Sequence, residues 1–480
     1  MSGSAGFMNN LDLPSGTHQK HASAPTSASS PDRGLPLVLK TQGHHIYVQD
    51  GREILDACGG AAVTCLGHGN QEVLNAMNRQ AQSCSYVPYA FFDNQSTRNL
   101  EEWLVRTSNG VIAKVYLVSS GSEAMDGAMK LAREFFVWTG QPQRVNFIAC
   151  KPSYHGTTLG ALSLSGHISR RAPFQPLLMG GLGTSLGTSL VEHVTGCNTY
   201  RQQQAREADA RFVARKAAEL EAAFQRLGPA TVCAFVVEPV VGAAAGCMPV
   251  APGYLAAMKA VCARHGALLV LDEVMCGMGR TGTLHAWQHE MDGGDASPDI
   301  QTVGKGLGGG FQPCAAILAG RRVVTAMHEA DGALFTHGHT YQNHPVASAA
   351  AFCVQTIIQR DSLLANVRAR GAQLGVALHA QLDDHPHVGD IRGRGLFWGI
   401  ELVQDRGSRE PFPIEERVAK QIHDLALTSR FQLLVYYGQG CAGDSRGDHI
   451  MIMPAYTVTE KLVTLIVDTL TKVIHEVFSK

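Results

Sequence analysis

Between residues 230 and 305, three short runs, "VCAFVVEP", "ALLVLDEV" and "IQTVGK", are compact and mostly apolar, and each ends in a polar group. A strand buried on both faces reads as a continuous apolar run, and such strands belong to parallel sheets covered by helices. Upstream, "KVYLVSSGSEAMDGAMKLAREFF" reads as strand, turn and helix. Its strand lies at 115–118, and Met125, Ala128, Met129 and Ala132 recur at helical spacing. From about residue 95 to 330, strands alternate with helical patterns, which predicts an α/β fold with a large, mostly parallel sheet. Ligands in such sheets gather at the carboxyl ends of the strands. Ser119 to Ser122, Glu238, Asp272 and Lys305 all fall there.

The flanks read differently. Residues 1–34 are rich in Ser, Gly, Pro and Asn without an apolar period and are expected to be a flexible tail. Short β-prone runs within 35–94 suggest a small meander. Residues 345–480 carry helical patterns at 346–358 and 362–382, β-prone runs at 397–402 and 449–453, and a last helix from Glu460. Both chain ends are therefore expected to build a second, small α+β domain beside a large domain over 95–344. Residues 180–215 are expected to be a long connection into a helix at 212–227.

Composition narrows the function. The 480 residues carry a formal net charge of -1, with 17% charged residues, so bulk attraction to nucleic acid or an anionic membrane is excluded. Twelve cysteines without any C-x-x-C pair argue against a disulfide framework or a zinc knuckle. No run approaches the roughly 18 apolar residues of a membrane span, and the N-terminus lacks a signal-peptide core. A cytoplasmic enzyme is expected.

In "DIQTVGKGLGGG", Lys305 comes after a strand and precedes a cluster of glycines. A phosphate-gripping loop G-x-x-x-x-G-K-[ST] would need glycine where Asp299 stands and a hydroxyl where Gly306 stands. Gly304, Gly306 and Gly309 spell G-x-G-x-x-G, but they lead into Pro313 and a strand-like run, not into a helix. The third reading is an imine-forming lysine with glycines that let other groups approach it. A pyridoxal phosphate site requires companions: an anion pocket, a carboxylate for the pyridine nitrogen and an aromatic face for the ring.

Each companion has a candidate and a plainer alternative. Ser120, Gly121 and Ser122 open a helix whose unpaired amides favour an anion, although Ser120 and Glu123 also spell an ordinary capping box. Asp272 ends a buried strand. A pyridinium at about 4 Å would favour its charge by roughly 4 kcal/mol at an effective dielectric near 20, and a structural pair with Arg280 is the alternative. Tyr154, on the turn "SYHGTTLG", is either the aromatic face or a core tyrosine. His337, His339 and His344 lie close together, but no carboxylate or thiolate joins them at a usual metal-ligand spacing, and no metal is expected.

In order, "SSGSEAMDGAMKLAR", "SYHGTTLGALSLSG", "FVVEPVVGAAAG", "LLVLDEVMCGMGRTG", "VGKGLGGGFQP" and "HGHTYQNHPVASAAA" resemble the class III aminotransferases from about residue 36 to the C-terminus. The resemblance implies fold type I, pyridoxal phosphate and a homodimer with active sites at the subunit interface. Lys305 then matches the imine lysine and Asp272 the pyridinium partner. Val274 would lie under the ring opposite Tyr154. Gly121 and Ser122 would hold the phosphate with Thr340 of the neighbouring subunit, while Glu238 and His155 would support the cofactor's surroundings. Met275 and Gln342 depart from the common pattern.

In the ornithine and 4-aminobutyrate branch of that family, a glutamate five residues after the "EP" glutamate gates a C-terminal arginine that grips a dicarboxylate. Here Ala243 comes after "EPVVG", and Ile450 in "GDHIMIMPAY" occupies the place expected for the arginine. The arrangement resembles the omega-amino acid and amine:pyruvate branch, with Arg446 the nearest candidate for a substrate carboxylate. The expected activity is ping-pong transamination from a small-molecule amine to a keto acid. A lyase, decarboxylase or aminomutase of the same family, or a non-catalytic dimeric binding protein, is the alternative.

Overall fold

The computed structural model describes residues 35–179, 190–443 and 445–479. The tail expected over 1–34 lies outside them. Of the short unit Met1–Leu37, residues 35–37 are exposed and carry no regular structure.

Seven strands of the unit Val38–Lys480 form its large sheet. They are β1 (Ile112–Val118), β2 (Asn146–Lys151), β3 (Val191–Thr195), β4 (Val232–Val237), β5 (Leu268–Asp272), β6 (Ile300–Val303) and β7 (Ala315–Gly320). Their spatial order is β1-β7-β6-β5-β4-β2-β3. Only β7 runs antiparallel to its neighbours, so the sheet is mostly parallel. Every residue of β4, β5 and β7 is buried.

Successive side chains explain why. Ala234, Val236, Leu268 and Val270 point into one apolar layer with the helix Gly121–Trp138. Phe235, Val237, Leu269 and Leu271 point into the other, against the helices Asp209–Leu227 and Tyr254–Arg264. Both faces are thus covered, which is what continuous apolar runs demand. β3 corrects the sequence reading: it lies inside the stretch expected to be a long connection, and residues 180–189 of that stretch lie outside the described residues.

Two smaller sheets stand apart from the large one. Val38–Gln42, His45–Val48 and Glu53–Asp56 form the expected meander, and Leu433–Leu434 adds a parallel strand to it, with Leu433 opposite Leu55. Val388–Gly393, Trp398–Leu402, Asp448–Ile452 and Tyr436–Gln439 form an antiparallel sheet. The helices Leu363–Leu382, Val418–Ala426 and Glu460–Phe478 share a core with it. Sequence patterns missed Val388–Gly393 and Tyr436–Gln439. Among the described residues, no helix is long and apolar enough to cross a membrane.

Candidate active site

Beyond the carboxyl ends of β1, β4, β5 and β6 lies a cavity of about 420 Å³. Its lining includes Ser120, Gly121, Ser122, Tyr154, His155, Glu238, Asp272, Val274 and Lys305, which the sequence places across some 185 positions of the chain (305 − 120). The strands explain the gathering, since each presents its terminal polar group at the same sheet edge.

The helix Gly121–Trp138 starts here. Ser120 Oγ accepts from the Glu123 amide at 3.2 Å, and Glu123 accepts from the Ser119 and Ser120 amides. The capping box is therefore real, and its Ser120 also lines the cavity. The turn after Tyr154 closes on this helix end: Ser122 Oγ accepts from the Thr157 amide at 3.0 Å. Gly156 permits the approach with φ +133°, because a Cβ there would stand 2.7 Å from Ser122 Oγ. Gly121 packs against Val274, whose Cγ1 would lie 2.6 Å from an added Cβ.

Asp272, only 4% exposed, accepts from His155 Nδ1 at 2.8 Å, from the Val274 amide at 3.0 Å and from Thr302 Oγ1 at 3.3 Å. Arg280 is not its partner. The Arg280 guanidinium donates to the carbonyls of Leu396, Pro454 and Ala62. Burial alone pushes His155 down, but the hydrogen bond to Asp272 and the Asp272 and Glu238 charges hold it above its usual value. Glu238 accepts from the Tyr154 and Gly242 amides, both at 3.0 Å, and burial pushes its carboxyl up. Thr302 escaped sequence reasoning. The cross-strand register that puts it opposite Asp272 was the signal.

Lys305 opens a short turn with φ +44°, a left-handed conformation costing a residue with a Cβ roughly 1 kcal/mol or more. Among the described residues its Nζ has no hydrogen-bond or ionic partner. Burial drives the amine toward its neutral form, against the charges of Asp272 and Glu238. An unpaired, readily deprotonated amine facing a buried carboxylate, a helix N-terminus and a tyrosine ring fits pyridoxal phosphate: nucleophile, nitrogen partner, anion pocket and ring face are all present.

Other candidates lie elsewhere. Thr340 is exposed and does not line the cavity. Arg446 forms an ion pair with Glu410 at 2.8 Å and does not line the cavity. Ile450 is wholly buried in the core of the small sheet, so its side chain forms no wall of the site. The preceding residue faces the "EPVVG" loop instead, with His449 Cδ2 2.9 Å from where a Cβ on Gly246 would stand. Ala243 and Met275 form part of the cavity's apolar side. Of the three clustered histidines, His337 contacts Lys130, His339 lies 3.7 Å from Glu123, and His344 caps the helix Pro345–Arg360.

Residues 27–474 match the family model described as aminotransferase class-III. An aminotransferase of Gibberella zeae is 45% identical over 90% of this chain and 82% of its own length. An uncharacterized aminotransferase of Schizosaccharomyces pombe is 41% identical over 93% of this chain and 94% of its own. A solved omega transaminase from Pseudomonas jessenii in complex with PMP superposes with a TM-score of 0.84 at 28% identity, covering 96% of this chain and 97% of that one.

Proposed function

The chain belongs to the class III aminotransferases and is a pyridoxal phosphate-dependent transaminase of fold type I, and from that premise we propose that it takes amino groups from terminal amines or omega-amino acids and passes them to pyruvate. The unpaired amine of Lys305 beside Asp272 is the observation that carries the chemistry. The cofactor supplies an electrophilic carbonyl carbon and an electron-accepting ring when bound.

The protein's part is positioning and proton transfer. Lys305 Nζ would hold the cofactor covalently and, as a free amine, could carry a proton to and from the donor's amine-bearing carbon. Asp272 would keep the pyridine nitrogen protonated, and His155 and Thr302 hold its carboxylate in place. Tyr154 and Val274, which both line the cavity, would hold the ring between them. Glu238 fixes the Tyr154 turn through the amide it accepts. Gly121 and Ser122 meet the phosphate at the helix N-terminus. The donor leaves as a carbonyl compound before the keto acid enters, a ping-pong order.

Thr340 completes the phosphate site of the neighbouring subunit in a homodimer. Support comes from its surroundings: the adjacent Tyr341, 61% exposed, lies edge-on to the exposed Tyr86 with ring centroids 6.0 Å apart, an aromatic pair suited to a second copy. Mixing inactive Lys305→Ala and Thr340→Ala chains then restores about a quarter of wild-type activity, because half the dimers are mixed and each has one complete site.

The acceptor assignment is supported by what stands at the dicarboxylate clamp. Ala243 supplies no carboxylate, and His449, which faces that loop where Ile450 does not, supplies no guanidinium, so neither can make a bidentate contact. Turnover of one good amine donor with pyruvate and with 2-oxoglutarate tests this. Faster turnover with pyruvate is expected; a clear preference for 2-oxoglutarate defeats the assignment.

A further inference from the structure

Arg170 and Arg171 are adjacent in sequence and differ in employment. Arg171 donates to the carbonyls of Ser163 and Ser165 and contacts His193 Nε2 at 3.0 Å. Arg170 is partly buried and, among the described residues, has neither hydrogen bond nor ion pair. Its guanidinium lies 4.5 Å from the centroid of the Tyr154 ring, and Tyr154 lines the cavity that contains Lys305. The Arg170 charge also reaches Lys305, where it opposes protonation of the amine. The segment is anchored, since His167 Nε2 contacts the Gln439 carbonyl at 2.9 Å.

The other arginines of the neighbourhood are engaged. Arg280 serves three carbonyls, Arg392 serves Glu401, Asp390 and the carbonyls of Ala245 and Gly246, and Arg201 serves Glu401. Arg446 meets Glu410. Pyruvate and omega-amino acids each bring a carboxylate that needs a cation, and among the described residues no arginine lines the cavity itself, so the cation must reach in from just outside it. A guanidinium over an aromatic face keeps its N–H edges available for a planar, two-oxygen acceptor.

We propose that Arg170, seated on Tyr154, is the residue that binds the substrate carboxylate and selects carboxylate-bearing substrates over plain amines and aldehydes. This rests on the keto-acid and omega-amino-acid reading above. Tyr154 then has two duties, one toward the cofactor ring and one as the support that orients the guanidinium.

The test compares pyruvate with propanal, which has the same carbon count without the carboxylate, as acceptors for the aminated holoenzyme. The ratio of their kcat/KM values is expected to fall about 10- to 150-fold in Arg170→Gln, the range of a lost hydrogen bond to a charged group. Arg170→Lys is expected to recover part of that ratio, because it restores charge without the fork. Calorimetric titration with propanoate, an unreactive carboxylate, is expected to show binding to wild type and none to Arg170→Gln. An unchanged ratio with both acceptors slowed alike makes Arg170 a prop for Tyr154 and overturns the proposal. So does retained propanoate binding, or a ratio moved by Arg446→Gln instead. Wild-type failure to use pyruvate at all would count against the proposed function, and propanoate titration would still decide the role of Arg170.

Discussion

Asp272 and Glu401 are both buried strand carboxylates, and their surroundings differ in a way that separates function from architecture. Glu401, fully buried in Trp398–Leu402, lies 2.6 Å from Arg201 and 2.6 Å from Arg392. Burial alone would push its carboxyl up, but the two guanidinium groups hold it below the usual range. Its cations are provided by the fold, and the pairing ties residues 199–202 to the small antiparallel sheet. Asp272 has one histidine, one amide and one hydroxyl, and it faces a cavity. A carboxylate surrounded by arginines is a structural lock, whereas one with a single titratable partner and open space beside it is prepared for a cationic visitor.

Substitutions can break that contrast. The largest effect belongs to Lys305, the amine opposite Asp272: Lys305→Ala is expected to reduce turnover by about 10⁴-fold or more, with the fold intact by circular dichroism. Retention of a borohydride-reducible bond between protein and cofactor in this variant would assign the attachment to another amine. Glu401→Gln comes next. Removing the charge leaves the part-buried Arg201 without its carboxylate and the buried Arg392 with Asp390 alone, so urea unfolding is expected to show a loss of about 3 kcal/mol, with little change in turnover per folded molecule. Asp272→Asn is expected to show the reverse, a fall in turnover of about 10²- to 10³-fold with a smaller loss of stability. Equal stability losses in the two variants would erase the distinction.

The smallest effect sharpens it through pH. His155 is held above its usual value by Asp272, so the stabilisation is full below the unfolded value of about 6.5 and fades as pH rises through the higher folded value. Cofactor-free wild type is therefore expected to lose more stability than His155→Gln as pH rises above about 6.5. Parallel stability profiles would mean that His155 is neutral in the folded protein.

Much of this was legible in sequence because buried parallel strands announce themselves as apolar runs, and the groups that end them lie where such sheets place ligands. β3 was not, because "VEHVT", an edge strand, has only two apolar residues, Val191 and Val194, set three apart, and it comes after a glycine- and serine-rich stretch. The partner of Asp272 was also hidden. Arg280 was nearer in sequence, while His155 arrives from 117 residues away, from the loop after β2, two strands along the sheet. Ile450 was misjudged for a local reason: side chains alternate along Asp448–Ile452, so a one-residue difference exchanges the core for the loop side.

The pairing of Leu433 with Leu55 has a consequence for biosynthesis. The meander leaves the ribosome early, yet its last strand arrives roughly 380 residues later, a separation that makes closure slow. Until then the edge at Glu53–Asp56 offers unpaired backbone to any passing strand, and the nascent chain depends on shielding that edge from other copies. A truncation before residue 433 would therefore leave behind an open sheet edge as well as an incomplete small domain.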